Sequence, residues 1–122
     1  MAQSVLIIED NEHLRKILAS ILRLSGYEIL EANTGTQGVE KAASGKPNLI
    51  LLDLDLPDIS GIDAARRIKK NSKTARIPII GCSAWGSMEL KEEALRVGMV
   101  EYLQKPIPSS IIKAKVEEFI LP

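Results

Sequence analysis

A short apolar run that ends abruptly in a carboxylate constrains this chain more than any other feature. Residues 49–52 are Leu-Ile-Leu-Leu, and Asp53 follows directly. Such a run predicts a parallel strand covered by helices on both faces. Ligands bind at the carboxyl ends of such strands, and Pro57 and Gly61 mark a tight loop before the next helix. Asp53 is therefore a candidate functional carboxylate, although this stretch alone also fits a solvated strand-end carboxylate or a helix cap.

Length and charge limit the classes of protein that this chain can belong to. Its 122 residues predict a single domain, residues 1–122, with one buried core. The 16 basic and 16 acidic residues balance, so nothing favours a nucleic acid or a membrane surface as partner. One cysteine, Cys82, excludes an internal disulfide and fits a reducing compartment. With no membrane-length apolar run and no signal segment, a soluble, cytoplasmic protein is expected.

Apolar runs and helical patterns alternate along the whole chain. Strands are predicted over residues 5–8, 28–32, 48–53, 77–81 and 101–103, and helices around residues 14–22, 34–45, 61–70, 87–97 and 109–120. The second strand is the weakest and is expected nearer an edge. This order predicts an α/β fold, a five-stranded parallel sheet of alternating (βα)5 units in a flavodoxin-like, doubly wound, three-layer sandwich.

Glycine and capping residues predict where the first two helices end and begin. Gly26 is expected to stop the first helix. Thr34 with Gln37 three residues later fits a capping box for the second helix, which Gly45 and Pro47 would close.

Acidic residues follow two of the predicted strands. Glu9 and Asp10 come directly after the first strand, as Asp53 comes after the third. These ends share one edge of a parallel sheet, so the three carboxylates converge if the two strands are neighbours. Three close anions stay ionised only beside a cation, and carboxylate oxygens favour Mg²⁺ or Mn²⁺ over zinc. For Glu9 or Asp10 alone, capping of the first helix is the alternative.

A hydroxyl and an ammonium group are expected at the same edge. Ser83 follows the fourth predicted strand and Lys105 the fifth. A carboxylate, a divalent cation, a lysine and a hydroxyl suit phosphoryl transfer, because its catalysis is mainly positioning and neutralisation of charge on oxygen. Taken singly, Ser83 also fits a turn residue and Lys105 a surface charge.

Together these motifs resemble the receiver domain of two-component response regulators, the chemotaxis-regulator fold, over essentially the whole chain. The resemblance rests on five places in order: Glu9-Asp10, Asp53 with the structural residues Pro57 and Gly61, Ser83-Ala84, Tyr102, and Lys105-Pro106. It implies a phosphorelay protein, not an enzyme, whose Asp53 accepts a phosphoryl group from a phosphohistidine. The donor would be a sensor histidine kinase or a histidine phosphotransfer protein. The receiver would support its own phosphorylation and slow dephosphorylation.

The resemblance also implies roles for the other site residues. The implied Mg²⁺ ligands are Asp10 directly, Glu9 through water, Asp55 through its backbone carbonyl, and Asp53. Lys105 would contact the phosphoryl oxygens, beside a cis bond to Pro106. Ser83 would be the switch hydroxyl that moves toward the phosphoryl group, and the rotamer of Tyr102 would follow. The output surface would be helix four, strand five and helix five, facing a downstream protein or, after phosphorylation, a second copy of the chain.

Three positions depart from the commoner family pattern. Ser83 stands where Thr is more usual, which keeps the hydroxyl but loses the methyl that helps to fix its rotamer. The indole of Trp85 is expected at the mouth of the pocket, where it would hinder water from attacking the phosphoryl group; contact with a partner is the alternative. Pro108 supplies no side-chain cap for the last helix, so Ser109 is the expected alternative.

Two further residues could suggest other chemistry. His13, the only histidine, is expected on the exposed side of the first helix beside Arg15 and Lys16. Cys82 is expected to be a small buried residue and not a nucleophile.

Two rival functions remain open. Asp53-Leu54-Asp55 is similar to the Asp-x-Asp motif of haloacid-dehalogenase-type phosphatases, although that family carries it on an early strand with further acidic ligands downstream. The other rival is a pseudo-receiver that binds partners without phosphorylation. Met1 favours an N-terminal or free-standing receiver, and output is expected through protein contact because no DNA-binding or catalytic output module is recognisable.

Overall fold

Five strands and five helices alternate along residues 2–122, the part of the chain that the computed structural model describes. The strands are β1 Ser4–Ile8, β2 Glu28–Ala32, β3 Leu49–Asp53, β4 Ile79–Ser83 and β5 Glu101–Gln104. The helices are α1 Glu12–Leu24, α2 Gly35–Gly45, α3 Gly61–Lys70, α4 Met88–Arg96 and α5 Ser109–Phe119. None of the helices described in residues 2–122 is long and apolar enough to cross a membrane.

The strands form one parallel sheet in the order β2-β1-β3-β4-β5. This is the flavodoxin-like α/β arrangement that the sequence predicts, and the weak second strand lies at an edge as expected. β3 is central, and every one of its five residues is buried.

Apolar clusters cover both faces of the sheet. Ile50 and Leu52 belong to a cluster with side chains of α2, α3 and α4, whereas Leu49 and Leu51 belong to a cluster with side chains of α1 and α5. Successive residues of a strand point to opposite faces, so a strand buried on both sides needs an uninterrupted apolar run. This two-sided burial is the physical reason for the Leu-Ile-Leu-Leu sequence.

The register of the central strands determines which residues lie next to each other at the carboxyl edge of the sheet. Ile8 of β1 lies opposite Leu52 of β3, so Glu9 and Asp53 leave the sheet side by side. Asp53 in turn lies opposite Cys82 of β4. The condition for the three carboxylates to converge, that the first and third strands are neighbours, is therefore met.

Gly61 brings the start of α3 close to the end of β3. A Cβ atom at this position would lie 2.5 Å from the Leu54 Cα and 2.6 Å from the carbonyl oxygen of Asp53. Both are backbone atoms, which cannot turn away as a side chain does. The loop that carries the candidate site is tight because this glycine has no side chain.

The predicted ends of the first two helices are largely confirmed. Gly26 follows α1 with a φ of 96°, and its N–H donates to the carbonyl of Arg23. The Thr34 hydroxyl accepts from the Gln37 N–H at 3.0 Å. In a standard capping box, the Gln37 side chain would accept from the N–H of Thr34. Here its Oε1 accepts from the N–H of Asn33, one residue earlier, so the capping box is displaced by one residue.

Two predicted capping residues are wrong, although the predicted bounds of these helices, 34–45 and 109–120, agree with the structure to within one residue. α2 is closed by Lys46 in the left-handed conformation, with a φ of 43°, because Gly45 is still helical. Its missing Cβ would lie 2.6 Å from the Leu30 side chain, so glycine serves packing there. α5 has Pro108 as its N-cap and no side-chain cap bond, because Ser109 is already the first helical residue.

The fourth strand begins two residues later than predicted. Pro78 has no N–H to donate to a neighbouring strand, and the N–H of Ile77 donates to Thr74 in the preceding turn. β4 also ends two residues later than predicted, so Ser83 is its last residue and does not lie beyond it.

Candidate functional site

Three carboxylates meet at the carboxyl ends of β1 and β3. Glu9, Asp10 and Asp53 can each offer an oxygen such that all these oxygens lie within 4.8 Å of one another. Glu9 and Asp53 are buried, at 3% and 4% exposure, and Asp10 is exposed. The predicted convergence is confirmed, and Glu9 and Asp53 are not solvated strand-end carboxylates.

Lys105 reaches the carboxylates from the end of β5. Its Nζ lies 2.7 Å from Glu9 Oε1 and 3.3 Å from Asp53 Oδ1. Its backbone N–H donates to the Ser83 carbonyl at 2.8 Å, and the bond to Pro106 is cis, as the family resemblance implies. The ammonium group is thus placed between two buried carboxylates, and Lys105 is not simply a surface charge.

The site is short of positive charge. When all are ionised, three carboxylates and one ammonium leave two negative charges uncompensated. One divalent cation would compensate both. Burial raises the pKa of Glu9 to about 7, and Asp53 adds to this rise while Lys105 opposes it. Burial lowers the pKa of Lys105, but its two carboxylate partners outweigh burial and raise it. Nearby protein groups alone therefore leave Glu9 only partly ionised at neutral pH.

The donors at this edge fit a hard divalent cation. All three side chains offer carboxylate oxygens, which Mg²⁺ and Mn²⁺ prefer, and the exposure of Asp10 leaves room for water ligands. The N–H of Asp55 donates to Asp53 Oδ1 at 3.0 Å, which fixes the turn between these two residues. The acidic cluster can bind a metal ion, and the role of the Asp55 carbonyl remains a prediction.

The expected exposure of one side of α1 is right for His13 and Lys16 and wrong for Arg15. Both of the former are exposed, whereas Arg15 is only 9% exposed. Arg15 lies four residues before Ala19 and seven before Leu22, on the buried stripe of α1. Helical spacing counted from these two residues is the signal that would have found it.

Arg15 supports the acidic pair from behind. Its Nη1 donates to the carbonyl oxygen of Glu9 at 2.9 Å, and its Nε lies 3.1 Å from Glu31 Oε1. The guanidinium group therefore fixes the backbone of Glu9 and is itself held by a carboxylate from β2. Arg15 is a positioning residue that composition and motifs do not identify.

Ser83 is hydrogen-bonded to both of the loops that follow β3 and β4. It is fully buried, its hydroxyl donates to Asp55 Oδ2 at 3.0 Å, and it accepts from the Trp85 N–H at 3.1 Å. The Tyr102 hydroxyl, on a side chain that is 9% exposed, donates to the carbonyl oxygen of Trp85. Ser83 and Tyr102 are thus linked through the backbone of Trp85, and their movement on phosphorylation remains a prediction.

The indole of Trp85 is 68% exposed. A cavity of about 420 Å³ opens beside Asp53 and Lys105. From the loop between β4 and α4, the residue that lines this cavity is Ala84 and not Trp85. Exposure of the indole fits the alternative of a partner contact, and control of water by Trp85 remains a prediction. Cys82 also lines the cavity, but burial raises the pKa of its thiol to about 12, as expected for a residue that is not a nucleophile.

Asp58 is a second residue that the sequence does not identify. It lies in the loop between β3 and α3, and its carboxylate accepts from the N–H groups of Gly35 at 2.8 Å and Thr36 at 2.9 Å. Bonds from the Thr36 hydroxyl and N–H lower the pKa of Asp58. The loop that follows Asp53 is thereby attached to the start of α2.

Comparisons with known proteins agree with this geometry. Residues 5–117 match the family model of the response regulator receiver domain. The chain is 38% identical over 117 residues to the phosphate regulon transcriptional regulatory protein PhoB of Pseudomonas aeruginosa, a match that covers 96% of this chain and 51%, about half, of that relative. It is 36% identical over 116 residues to the chemotaxis protein CheY of Thermotoga maritima, covering 93% of this chain and 95% of that protein.

A solved structure is similar at the level of the whole fold. It is the receiver domain of the sensor histidine kinase PA1611 from Pseudomonas aeruginosa, which has a magnesium ion coordinated in its active site cleft. The TM-score is 0.89 at 29% sequence identity, and the match covers 98% of both chains.

Mg²⁺ binding is expected to weaken as the pH falls below about 7, because Glu9 is then protonated and adds no negative charge to the site. The affinity, measured by calorimetry or by fluorescence of Trp85, should drop roughly tenfold or more between about pH 7.5 and about pH 5.5. Glu9→Gln has no proton to lose and should bind more weakly but with a flatter pH profile. An equally steep profile in this variant would contradict the assignment to Glu9.

Proposed function

Because the chain belongs to the response regulator receiver family, we propose that its residues 1–122 act as one receiver domain in which Asp53 accepts a phosphoryl group. The donor is a phosphohistidine on a sensor histidine kinase or a histidine phosphotransfer protein. Receiver domains are phosphoryl-accepting signalling domains and not conventional enzymes. The observation that supports Asp53 is its burial at the end of the central strand, with Lys105 3.3 Å away and two further carboxylates beside it.

In the proposed transfer, a carboxylate oxygen of Asp53 attacks the phosphorus in line with the histidine nitrogen. The P–N bond breaks, its electron pair stays on the imidazole, and the new P–O bond makes an acyl phosphate. Asp53 Oδ1 is engaged by Lys105 and by the N–H of Asp55, so Oδ2 is the better placed nucleophile. Lys105 then exchanges a carboxylate oxygen for a phosphoryl oxygen.

The cluster would hold a divalent cation through Asp10, Asp53 and the Asp55 carbonyl, with Glu9 bound through water. When bound, such an ion neutralises charge on the phosphoryl oxygens, which the single ammonium of Lys105 does not do alone. Mg²⁺ or Mn²⁺ is the proposed ion because all the side-chain donors are carboxylates.

Output is proposed to follow from a shift between two populated states. The phosphoryl group adds about two negative charges, which attract Lys105 and the Ser83 hydroxyl. The link from Ser83 through Trp85 to Tyr102 would carry the change to α4, β5 and α5. The partner there is a downstream protein or a second phosphorylated copy, and a cytoplasmic location belongs to the same proposal.

The rival functions have weaker support. In the phosphatase family, the further acidic ligands follow the Asp-x-Asp motif, whereas Glu9 and Asp10 here precede it, directly after β1. A pseudo-receiver would not need the full set of carboxylates and the lysine that surround Asp53.

Asp53→Asn is expected to abolish phosphorylation, because an amide oxygen is a poor nucleophile and cannot form an acyl phosphate. The measurement is the intact mass after incubation with Mg²⁺ and acetyl phosphate, in which the wild type should gain one acid-labile phosphoryl group. Asp58→Asn, a change of the same size and charge in the loop that follows Asp53, is the control and should still be labelled. Free phosphate released without labelled protein would instead favour a phosphatase, and no reaction at all a pseudo-receiver.

Trp85→Glu is expected to shorten the lifetime of the acyl phosphate, because a carboxylate near the pocket can take a proton from the attacking water and an indole cannot. A tenfold faster decay would correspond to a barrier lower by about 1.4 kcal/mol. The control is Met88→Glu, since Met88 is also 68% exposed and the change adds the same charge nearby. Equal lifetimes in wild type and Trp85→Glu would leave Trp85 no part in excluding water.

A further inference from the structure

The carboxylate of Asp55 has no task in the proposed phosphoryl transfer, in which only the backbone of this residue takes part. Its Oδ2 accepts the hydroxyl hydrogen of Ser83 at 3.0 Å and lies 3.4 Å from the amide nitrogen of Ala84. Asp55 is exposed, whereas Ser83 is fully buried. The carboxylate therefore connects the loop after β3 to the end of β4.

The contact with Asp55 competes with the proposed switch. A serine hydroxyl has one hydrogen to donate, and here it is donated to Asp55. Ser83 cannot make this bond and donate to a phosphoryl oxygen on Asp53 at the same time. Hydrogen bonds to an ionised acceptor are stronger than bonds between neutral groups, so a carboxylate is an effective competitor.

We propose that the carboxylate of Asp55 is a latch that holds the Ser83 hydroxyl in the unphosphorylated state and that the phosphoryl group must displace it. Asp55 is then a positioning residue, because it acts through Ser83. The inference rests on the proposed role of Asp53 as phosphoryl acceptor. It adds a determinant of how strongly phosphorylation switches this receiver.

The position of Asp55 suits this role because the residue contacts both the proposed phosphoryl acceptor and the switch hydroxyl. Its backbone N–H donates to Asp53 Oδ1 at 3.0 Å, and its side chain holds Ser83. Ser83 accepts from the N–H of Trp85, whose carbonyl accepts from the Tyr102 hydroxyl. When Asp55 releases the Ser83 hydroxyl, the hydrogen bonds through the backbone of Trp85 can therefore transmit the change to Tyr102.

The charge of Asp55 alone offers a competing explanation for any effect of its removal. A carboxylate near Asp53 repels a phosphoryl group and attracts Mg²⁺ whether or not Ser83 is present. The latch, in contrast, requires the Ser83 hydroxyl. A double-mutant cycle between the two residues separates the two effects.

The test uses beryllofluoride, a phosphoryl mimic, at saturating Mg²⁺, with binding followed by the fluorescence of Trp85. Asp55→Ala is expected to bind beryllofluoride about tenfold more tightly than the wild type, because Ser83 is no longer held. Asp55→Asn keeps a neutral acceptor of the same size, so its affinity should be intermediate. In the Ser83→Ala background, Asp55→Ala should give no gain.

An equal gain with and without the Ser83 hydroxyl would assign the effect to charge and overturn the latch. No gain in Asp55→Ala or Asp55→Asn, with native circular dichroism spectra, would overturn it as well. In both cases binding by the wild type would leave the role of Asp53 standing. A wild-type protein that does not bind beryllofluoride would contradict both proposals.

Discussion

The pairing of β1 with β3 is the constraint on which the rest of the site depends. With Ile8 opposite Leu52, Glu9 and Asp53 must leave the sheet together, and helices on both faces of the sheet keep them from water. Two buried carboxylates side by side repel each other, so a cation beside them is favoured. Lys105 supplies one positive charge, and the deficit that remains matches a divalent ion. The chemistry of this edge thus follows from strand register and burial.

The same edge is connected to the rest of the molecule by contacts between its loops. Asp58 attaches the loop after β3 to the start of α2, and Asp55 attaches it to Ser83 at the end of β4. Arg15 holds the backbone of Glu9 from behind. A change of charge at Asp53 would therefore act on a loop that is bonded to α2 through Asp58 and to the Ser83 hydroxyl through Asp55.

The sequence predicts the features that depend on strand order and fails where side chains from distant segments meet. Apolar runs identify all five strands, and the shared edge of a parallel sheet brings Glu9, Asp10 and Asp53 together. The contact of Asp55 with Ser83 spans 28 residues and that of Asp58 with Gly35 spans 23, so no local pattern reveals them. Charge suggested an exposed Arg15, but carboxylate and carbonyl partners make its burial favourable. β4 starts late because Pro78 has no N–H to donate.

The most direct test of the central claim is to locate the phosphoryl group chemically. Borohydride reduces an aspartyl phosphate to homoserine, so protein labelled with acetyl phosphate can be reduced, digested and sequenced by mass spectrometry. Asp53 is the proposed acceptor, at an edge that lacks positive charge until a divalent ion binds. Homoserine should therefore appear at position 53 alone, and only when Mg²⁺ or Mn²⁺ is present during labelling. Homoserine at Asp10 or Asp55, or equal labelling of Asp53 after removal of divalent ions by chelation, would contradict it.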